Sequence, residues 1–349
     1  MTPYLSVVQL SLVFLSLLTA TLFVFIVIRR AFVDLQSRYF KNICAQIEKE
    51  LLAGLASGDT SQAIAIAQKF ASKPKALAHV LISYAQRLKG SSLAHLKLIF
   101  DESLKSRVYR DLNSFFLDRK VRAIRLLTYL GDPSDLPLLF PMLQKKPIIR
   151  LTTIQALAQT KKPEALEAIF SAWEKEPPSY ASIYANLFYS LGVTIEPWVK
   201  KYLKLPLPKE KLSSLIEVTG LIPLRTLSPD LLPFVSHPEK EVRIKVARAL
   251  GRLLIPETFE ALISLLEDEA WEVQAQAARA LGRLKNPMSI SHLIQGLTSP
   301  FFYVRRNAAY ALAEIGTEGR AALREVIRQN KDRFAKETAA MVLEEIAEI

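Results

Sequence analysis

Uncharged and mostly apolar residues fill the first part of the chain, and apolar positions then settle into a period. From Met1 to Ile28 no side chain is charged, and Leu5 to Ile28 reads LSVVQLSLVFLSLLTATLFVFIVI, 24 residues. A helix needs about 20 apolar residues to cross the hydrocarbon core of a bilayer, so this segment predicts a spanning helix with some tilt. A cleaved signal peptide would show a basic start, a shorter apolar stretch and a small-residue cleavage site. Here no Lys or Arg precedes the run, and Arg29-Arg30 follows it directly. An uncleaved anchor fits better.

Beyond Arg30 the pattern turns amphipathic. Phe32, Leu35, Phe40, Ile43, Ile47 and Leu51 recur at helical spacing, with no Pro or Gly before Gly54. The helix is expected to continue, as a stalk or packed on its successors. Ser57-Gly58-Asp59-Thr60 should end it and cap a new helix near Ser61.

A longer period governs the rest. Val242–Leu253 (VRIKVARALGRL), Val273–Leu284 (VQAQAARALGRL) and Val304–Ile315 (VRRNAAYALAEI) align without gaps, 31 residues apart. The same step reaches Ala335–Ile346 in one direction and Lys211–Ile222, Tyr180–Leu191 and Ile149–Thr160 in the other. A step of 28 then reaches Val121–Asp132. Offsets 0, 4, 5 and 8 are apolar or small in most copies, which is one face of an α-helix. Short apolar helices such as Thr258–Leu266 and Ile290–Leu297 precede these segments. Helix, turn, helix repeated at a fixed period is the signature of a solenoid. The expected class is therefore all-α, an α-α superhelix with one N-terminal transmembrane helix. Pro177-Pro178, Pro197, Pro206, Pro208 and Pro223 are expected to break helices and bend the superhelix near 195–225.

VRIKVARALGRL, VQAQAARALGRL and VRRNAAYALAEIG resemble the second helix of HEAT repeats, of the short bacterial kind shared with phycobilisome-lyase-type repeats. The resemblance is strong over 242–316 and degenerate over 121–241. In such repeats a turn Asp often pairs with an Arg that opens the second helix. Here the turn column reads His237, Asp268, Ser299, Asn330 and the Arg column Arg243, Gln274, Arg305, Lys336, so the ladder is broken. The layout of anchor, basic helical region and repeats also resembles bacterial inner-membrane HEAT proteins associated with envelope-polysaccharide machinery.

Charge changes the picture by its placement. The net is +12, yet residues 237–349 hold 16 basic and 16 acidic side chains, while residues 1–125 hold 18 basic against 8 acidic. Positive charge beside an apolar span points to an anionic membrane surface rather than to nucleic acid. Arg29, Arg30, Arg38 and Lys41 follow the span and nothing basic precedes it, so the positive-inside rule puts the N-terminus outside and the repeats in the cytoplasm. The organisation expected is an anchor at 1–28, a juxtamembrane helix at 29–58, an N-terminal helical region at 59–117 and the solenoid at 118–349. The location expected is an inner or plasma membrane, crossed once.

Chemistry is hard to find. Cys44 is the lone cysteine, so no internal disulfide forms, and packing is its expected role. The histidines are followed by Val80, Leu96, Pro238 and Leu293, which excludes the His-Glu pairs of di-iron HEAT-like hydroxylases, and zinc spacing is absent. No phosphate loop or nucleophile elbow occurs. No enzyme, metal or cofactor is expected; a HEAT-fold lyase is the least favoured alternative.

Offsets 3, 6 and 10 point away from the apolar stripe. They read Lys245, Arg248, Arg252, then Gln276, Arg279, Arg283, then Asn307, Tyr310, Glu314. Stacking would gather four arginines into a patch able to hold an acidic, phosphorylated or carboxylate ligand; the plainer alternative is a solvated face. Lys245, Arg248, Arg252, Arg279, Arg283 and Tyr310 are the candidate partner-binding residues. Trp271 and Phe301-Phe302-Tyr303 occupy neighbouring turns, where packing between turns is expected before an exposed contact edge. The function expected is a cytoplasm-facing scaffold or adaptor binding a protein partner, in an envelope or polysaccharide-related membrane complex; the alternative is a ligand- or nucleotide-sensing regulatory subunit of a membrane complex.

Overall fold

The computed structural model describes residues 2–56 and 60–347, with side chains along the first helix described from Phe14 onward. The expected turn at Ser57-Gly58-Asp59 lies outside the described residues. All described regular structure is helical. The chain divides into two compact units, residues 1–156 and 157–349.

The first unit contains α1 (Thr2–Ala56), α2 (Thr60–Lys69), α3 (Pro74–Ala85), α4 (Ser91–Ser103), α5 (Lys105–Leu112) and α6 (Leu117–Leu130). A 3₁₀ run, Pro133–Gln144, and most of α7 (Pro147–Thr160) complete it. Among the described residues α1 is the one helix long and apolar enough to cross a membrane. Its large apolar side chains from Phe14 to Tyr39 lie uncovered, Phe25 and Phe32 each at 63% exposure. Packing begins only at Phe40, and Ile43, Cys44, Ile47 and Leu51 are buried against α2 and α3. The expected stripe therefore starts two turns late: Phe32 and Leu35 belong with the uncovered apolar stretch, because no other helix of this unit reaches them.

Helices α1, α3 and α6 run in one direction. Phe40 meets His79 edge-on at 5.7 Å and lies under the Lys75 ammonium at 5.6 Å. Further along, Tyr84 is in the field of Glu48: burial first, then that charge, pushes its phenol pKa up. The start of α6 shares a groove of about 580 Å³ with Phe40 and Lys75, while its end is tied to α3 by Gln86 Nε2 donating to Tyr129 Oη at 2.8 Å. Beneath, Lys105 bridges Asp101 (2.8 Å) and Asp132 (2.6 Å), fastening α4 and α5 to the turn after α6.

The second unit continues with α8 (Pro163–Lys175), α9 (Ala181–Leu191), α10 (Glu196–Leu203), α11 (Lys209–Leu221), α12 (Ser228–Leu231) and α13 (Lys240–Leu253). It closes with α14 (Phe259–Leu266), α15 (Trp271–Leu284), α16 (Ile290–Gly296), α17 (Phe302–Ile315), α18 (Thr317–Gln329) and α19 (Arg333–Ala347). The starts of α11, α13, α15, α17 and α19, at 209, 240, 271, 302 and 333, keep the 31-residue step. The residue just after α7, α9, α13, α15 and α17 repeats as well. Lys161, Gly192, Leu254, Lys285 and Gly316, all multiples of 31 apart, have positive φ. The missing member is Pro223, whose ring fixes φ and cannot adopt it.

One sequence expectation changes. The step between α6 and α7 is 30, not 28: α6 starts at Leu117, and its buried Ala123, Ile124, Leu126, Leu127 and Leu130 match Val246, Ala247, Ala249, Leu250 and Leu253 of α13. Arg119 thus holds the column given to Val121. The prolines at 197, 206, 208 and 223 fall at helix starts and in linkers, and the 31-residue step passes through them. What replaces regularity there is an aromatic core. Phe170 stacks on Phe188 at 4.4 Å beside buried Trp173 and Tyr202, and buried Lys211 donates to the carbonyls of Trp173 (2.9 Å) and Glu174 (2.8 Å), capping α8.

Candidate functional site: an arginine cluster over a glycine–alanine seam

The cluster is built from below by small residues. Gly220, Gly251 and Gly282 recur every 31 residues and face Ala249, Ala280 and Ala311 of the next unit. A β-carbon placed on Gly251 would stand 2.5 Å from that of Ala280, and one on Gly282 would stand 2.6 Å from Ala311 Cα. Only hydrogen fits there, so α11, α13, α15 and α17 approach closely along this seam. Side chains flanking the seam are thereby brought within reach of the next helix.

Arg248 and Arg252 flank Gly251, and Arg279 and Arg283 flank Gly282. All four line one cavity of about 230 Å³, with Gln276 at its edge. Of the candidate residues, the structure brings these four together. Arg248 has a distant carboxylate, Glu217, at 3.9 Å. Among the described residues Arg252, Arg279 and Arg283 have no ion-pair partner, and Arg252 Nη1 is buried without a hydrogen bond. Burial, then the charges of Arg279 and Arg252, press the Arg283 pKa below the ordinary guanidinium value, while Glu314 pulls the other way. The cavity concentrates positive charge, with Glu217 beside Arg248 and Glu314 beside Arg279 and Arg283 as the nearby carboxylates.

The other two candidates sit differently. Lys245 Nζ is taken by Glu217 at 2.6 Å and does not line the cavity. Tyr310 lines an adjoining cavity of about 330 Å³ with Arg279, Arg306, Asn307 and Glu314. Its hydroxyl donates to Glu345 and its ring carries Arg306 at 5.3 Å. Arg279 is the wall common to both cavities.

On the turn edge one rung of the broken ladder survives, and it spans two repeats. Arg243 Nε and Nη2 donate to Asp268 at 2.6 and 2.8 Å, and its Nη1 donates to the carbonyls of His237 and Pro238. Arg305 makes the same carbonyl bonds to Ser299 and Pro300, but lays its guanidinium over Phe334 at 5.1 Å instead of meeting an acid. Trp271 stacks on Phe301 (5.9 Å) and Tyr303 (5.6 Å), as expected of packing between turns. Phe301, Phe302 and Tyr303 nevertheless keep 43–56% of their surface exposed.

A family model described as HEAT repeats matches residues 228–300 and 290–348. Residues 228–348 are HEAT repeats. No curated protein matches the chain's sequence. Some solved structures resemble the chain at low identity. An engineered protein is 20% identical, with 86% of this chain and 98% of that one covered and a TM-score of 0.40. The CpcE–CpcF complex of phycocyanin lyase from Nostoc is 16% identical over 69% and 94%, with a TM-score of 0.32. The karyopherin Kap121p, bound to the extreme C-terminus of the phosphatase Cdc14p, is 16% identical over 85% and 35%, with a TM-score of 0.42. HEAT arrays stack their units into extended surfaces suited to binding other proteins, and the arginine cluster lies on such a surface, formed by consecutive second helices.

Proposed function

We propose that this HEAT-repeat protein is a membrane-anchored scaffold. In this reading residues 1–28 span an inner or plasma membrane with the N-terminus outside, 29–58 form a juxtamembrane helix, 59–117 a helical base, and 118–349 a cytoplasmic solenoid. The solenoid binds an acidic segment of a protein partner in the cavity of Arg248, Arg252, Arg279 and Arg283. One observation carries the binding site: Arg252, Arg279 and Arg283 converge there with Arg248, and among the described residues none of the three forms an ion pair within 4 Å. Unpaired guanidiniums drawn together repel one another, and an incoming anion relieves that repulsion while accepting charge-assisted, often bidentate hydrogen bonds. The uncovered apolar side chains of α1 and the basic residues behind them support the anchor and its direction. The layout of anchor and repeats is what favours an envelope membrane complex.

Two experiments separate the parts. Reversing the four arginines to Glu should abolish capture of the partner from membrane extracts while leaving the thermal transition in place; unchanged capture removes the site. An alkaline-phosphatase fusion at the C-terminus should be inactive, and an active fusion would put the solenoid outside.

The confined volume of the cavity favours a second reading, a sensor of small anionic ligands, and a thermal-shift screen with nucleotides and anionic metabolites distinguishes it. A ligand that binds only the folded state raises its stability.

A further inference from the structure

The turn between α5 and α6 holds two phenylalanines in water. Phe115 is 96% exposed and Phe116 59% exposed. Adjacent aromatic rings left uncovered on a basic surface usually mark a contact with something apolar. Here the surface is basic: the Arg119 guanidinium sits over the Phe116 ring at 4.7 Å, and Arg110 is exposed on α5 just before the turn. Arg107 ties α5 to the α2–α3 turn by donating to Ala71 O at 2.8 Å. That second turn brings Lys73, whose ammonium lies over Tyr39 of α1 at 5.9 Å. Asp111 and Asp118 are the acids of this edge.

The direction of the helices decides which way this edge faces. Since α1, α3 and α6 are parallel, the turns that precede α3 and α6 lie on the side from which α1 enters, beside Tyr39 and Phe40. That side leads along α1 to its uncovered apolar stretch. Phe40 is about 18 Å beyond Ile28 at the helical rise of 1.5 Å per residue. The headgroup layer fills roughly 5–7 Å of that distance. A projecting turn, a phenyl ring and a helix tilt of about 20° reduce the remainder.

We propose that the α5–α6 turn is a second membrane contact, with Phe115 and Phe116 seated among the headgroups of an anionic leaflet and Arg110, Arg119 and Lys73 facing lipid phosphates. The proposal rests on reading α1 as a membrane span. A bilayer is the occupant because the edge is continuous with that helix, and because aromatic rings with basic neighbours match an anionic interface in both polarity and charge. The contact would fix the tilt of the first unit, which a single helix leaves free to swivel.

The test uses the full chain reconstituted in vesicles of phosphatidylcholine and phosphatidylglycerol mixed two to one. Cys44 is replaced by Ala, and an environment-sensitive fluorophore is placed at Ser114→Cys or, separately, at Leu17→Cys near the middle of the span. Expected is a blue-shifted label at 114, quenched by lipids carrying a shallow nitroxide, with both signals lost in Phe115→Asp/Phe116→Asp. The label at 17 should be quenched by a mid-bilayer nitroxide in either background. A water-like, unquenched label at 114 alongside a quenched label at 17 overturns the turn contact and leaves the anchor standing. An unquenched label at 17 overturns the anchor, and the orientation argued for the turn falls with it.

Discussion

Gly251 meets Ala280 across two repeats so closely that any β-carbon on the glycine would stand 2.5 Å from the alanine's own. The contact is one rung of a seam that sets how near consecutive second helices come, and so how near Arg248 and Arg252 come to Arg279 and Arg283.

Gly251→Ala should therefore destabilise the second unit. Helix propensity alone would favour Ala by about 1 kcal/mol, but forcing a methyl into a closed contact costs about 1–3 kcal/mol. The net expected is a loss of up to about 2 kcal/mol in urea unfolding. The swap Gly251→Ala/Ala280→Gly removes the clash with the β-carbon but leaves the Ala280 Cα position 2.7 Å away, so it should recover only part of that loss. A Gly251→Ala variant as stable as the parent would show that the seam is not what the glycine serves.

The rung between Arg243 and Asp268 is buried at both ends, each side chain only 8% exposed. Removing one partner strands the other, so Asp268→Ala should cost about 3 kcal/mol. Arg243→Ala should cost a similar amount, with the carbonyls of His237 and Pro238 also unpaired. The double variant should fall well short of the sum of the singles, because the second substitution removes a charge already orphaned. Additive losses in thermal unfolding would mean the two residues act independently.

Leu254 ends α13 with φ of 54°, in a column where Gly192 and Gly316 stand in other repeats. A left-handed conformation costs a branched residue about 1 kcal/mol more than glycine. Leu254→Gly is expected to raise stability by several tenths to about 1 kcal/mol, since the bond from Arg225 reaches a backbone carbonyl that remains. A loss of stability would mean that Leu254, 45% exposed, contributes more packing than its surface suggests.

Much of this architecture is legible from residue spacing, and the illegible parts share a cause. Val242, Val273 and Val304 mark the register because each fills the same buried position in its repeat, and Leu5–Ile28, by length and lack of charge, marks the described helix that is long and apolar enough to cross a membrane. The four arginines cluster as their offsets predict, since stacked repeats align equal offsets. The Arg243–Asp268 rung was hidden because the acid belongs to the next repeat, beyond the turn where a partner is sought. Tyr310 is engaged by Glu345 and Arg306, and Lys245 by Glu217, through side-chain reach that offsets do not encode. Val121 misplaced the first step because its column carries Arg119, a residue whose type gives no sign of the register. Phe115 and Phe116 read as ordinary apolar residues until their exposure is known.

If the arginine cavity receives a partner's acidic segment, a probe at Gln276, which lines that cavity, meets the segment directly. A photo-crosslinking amino acid at Gln276, in the full chain in its native membrane, should give one discrete adduct under illumination. That adduct should disappear when Arg248, Arg252, Arg279 and Arg283 are changed to Glu, and persist when the exposed Arg320 and Arg324 are changed instead. No adduct, or the same adduct in both variants, would contradict the account.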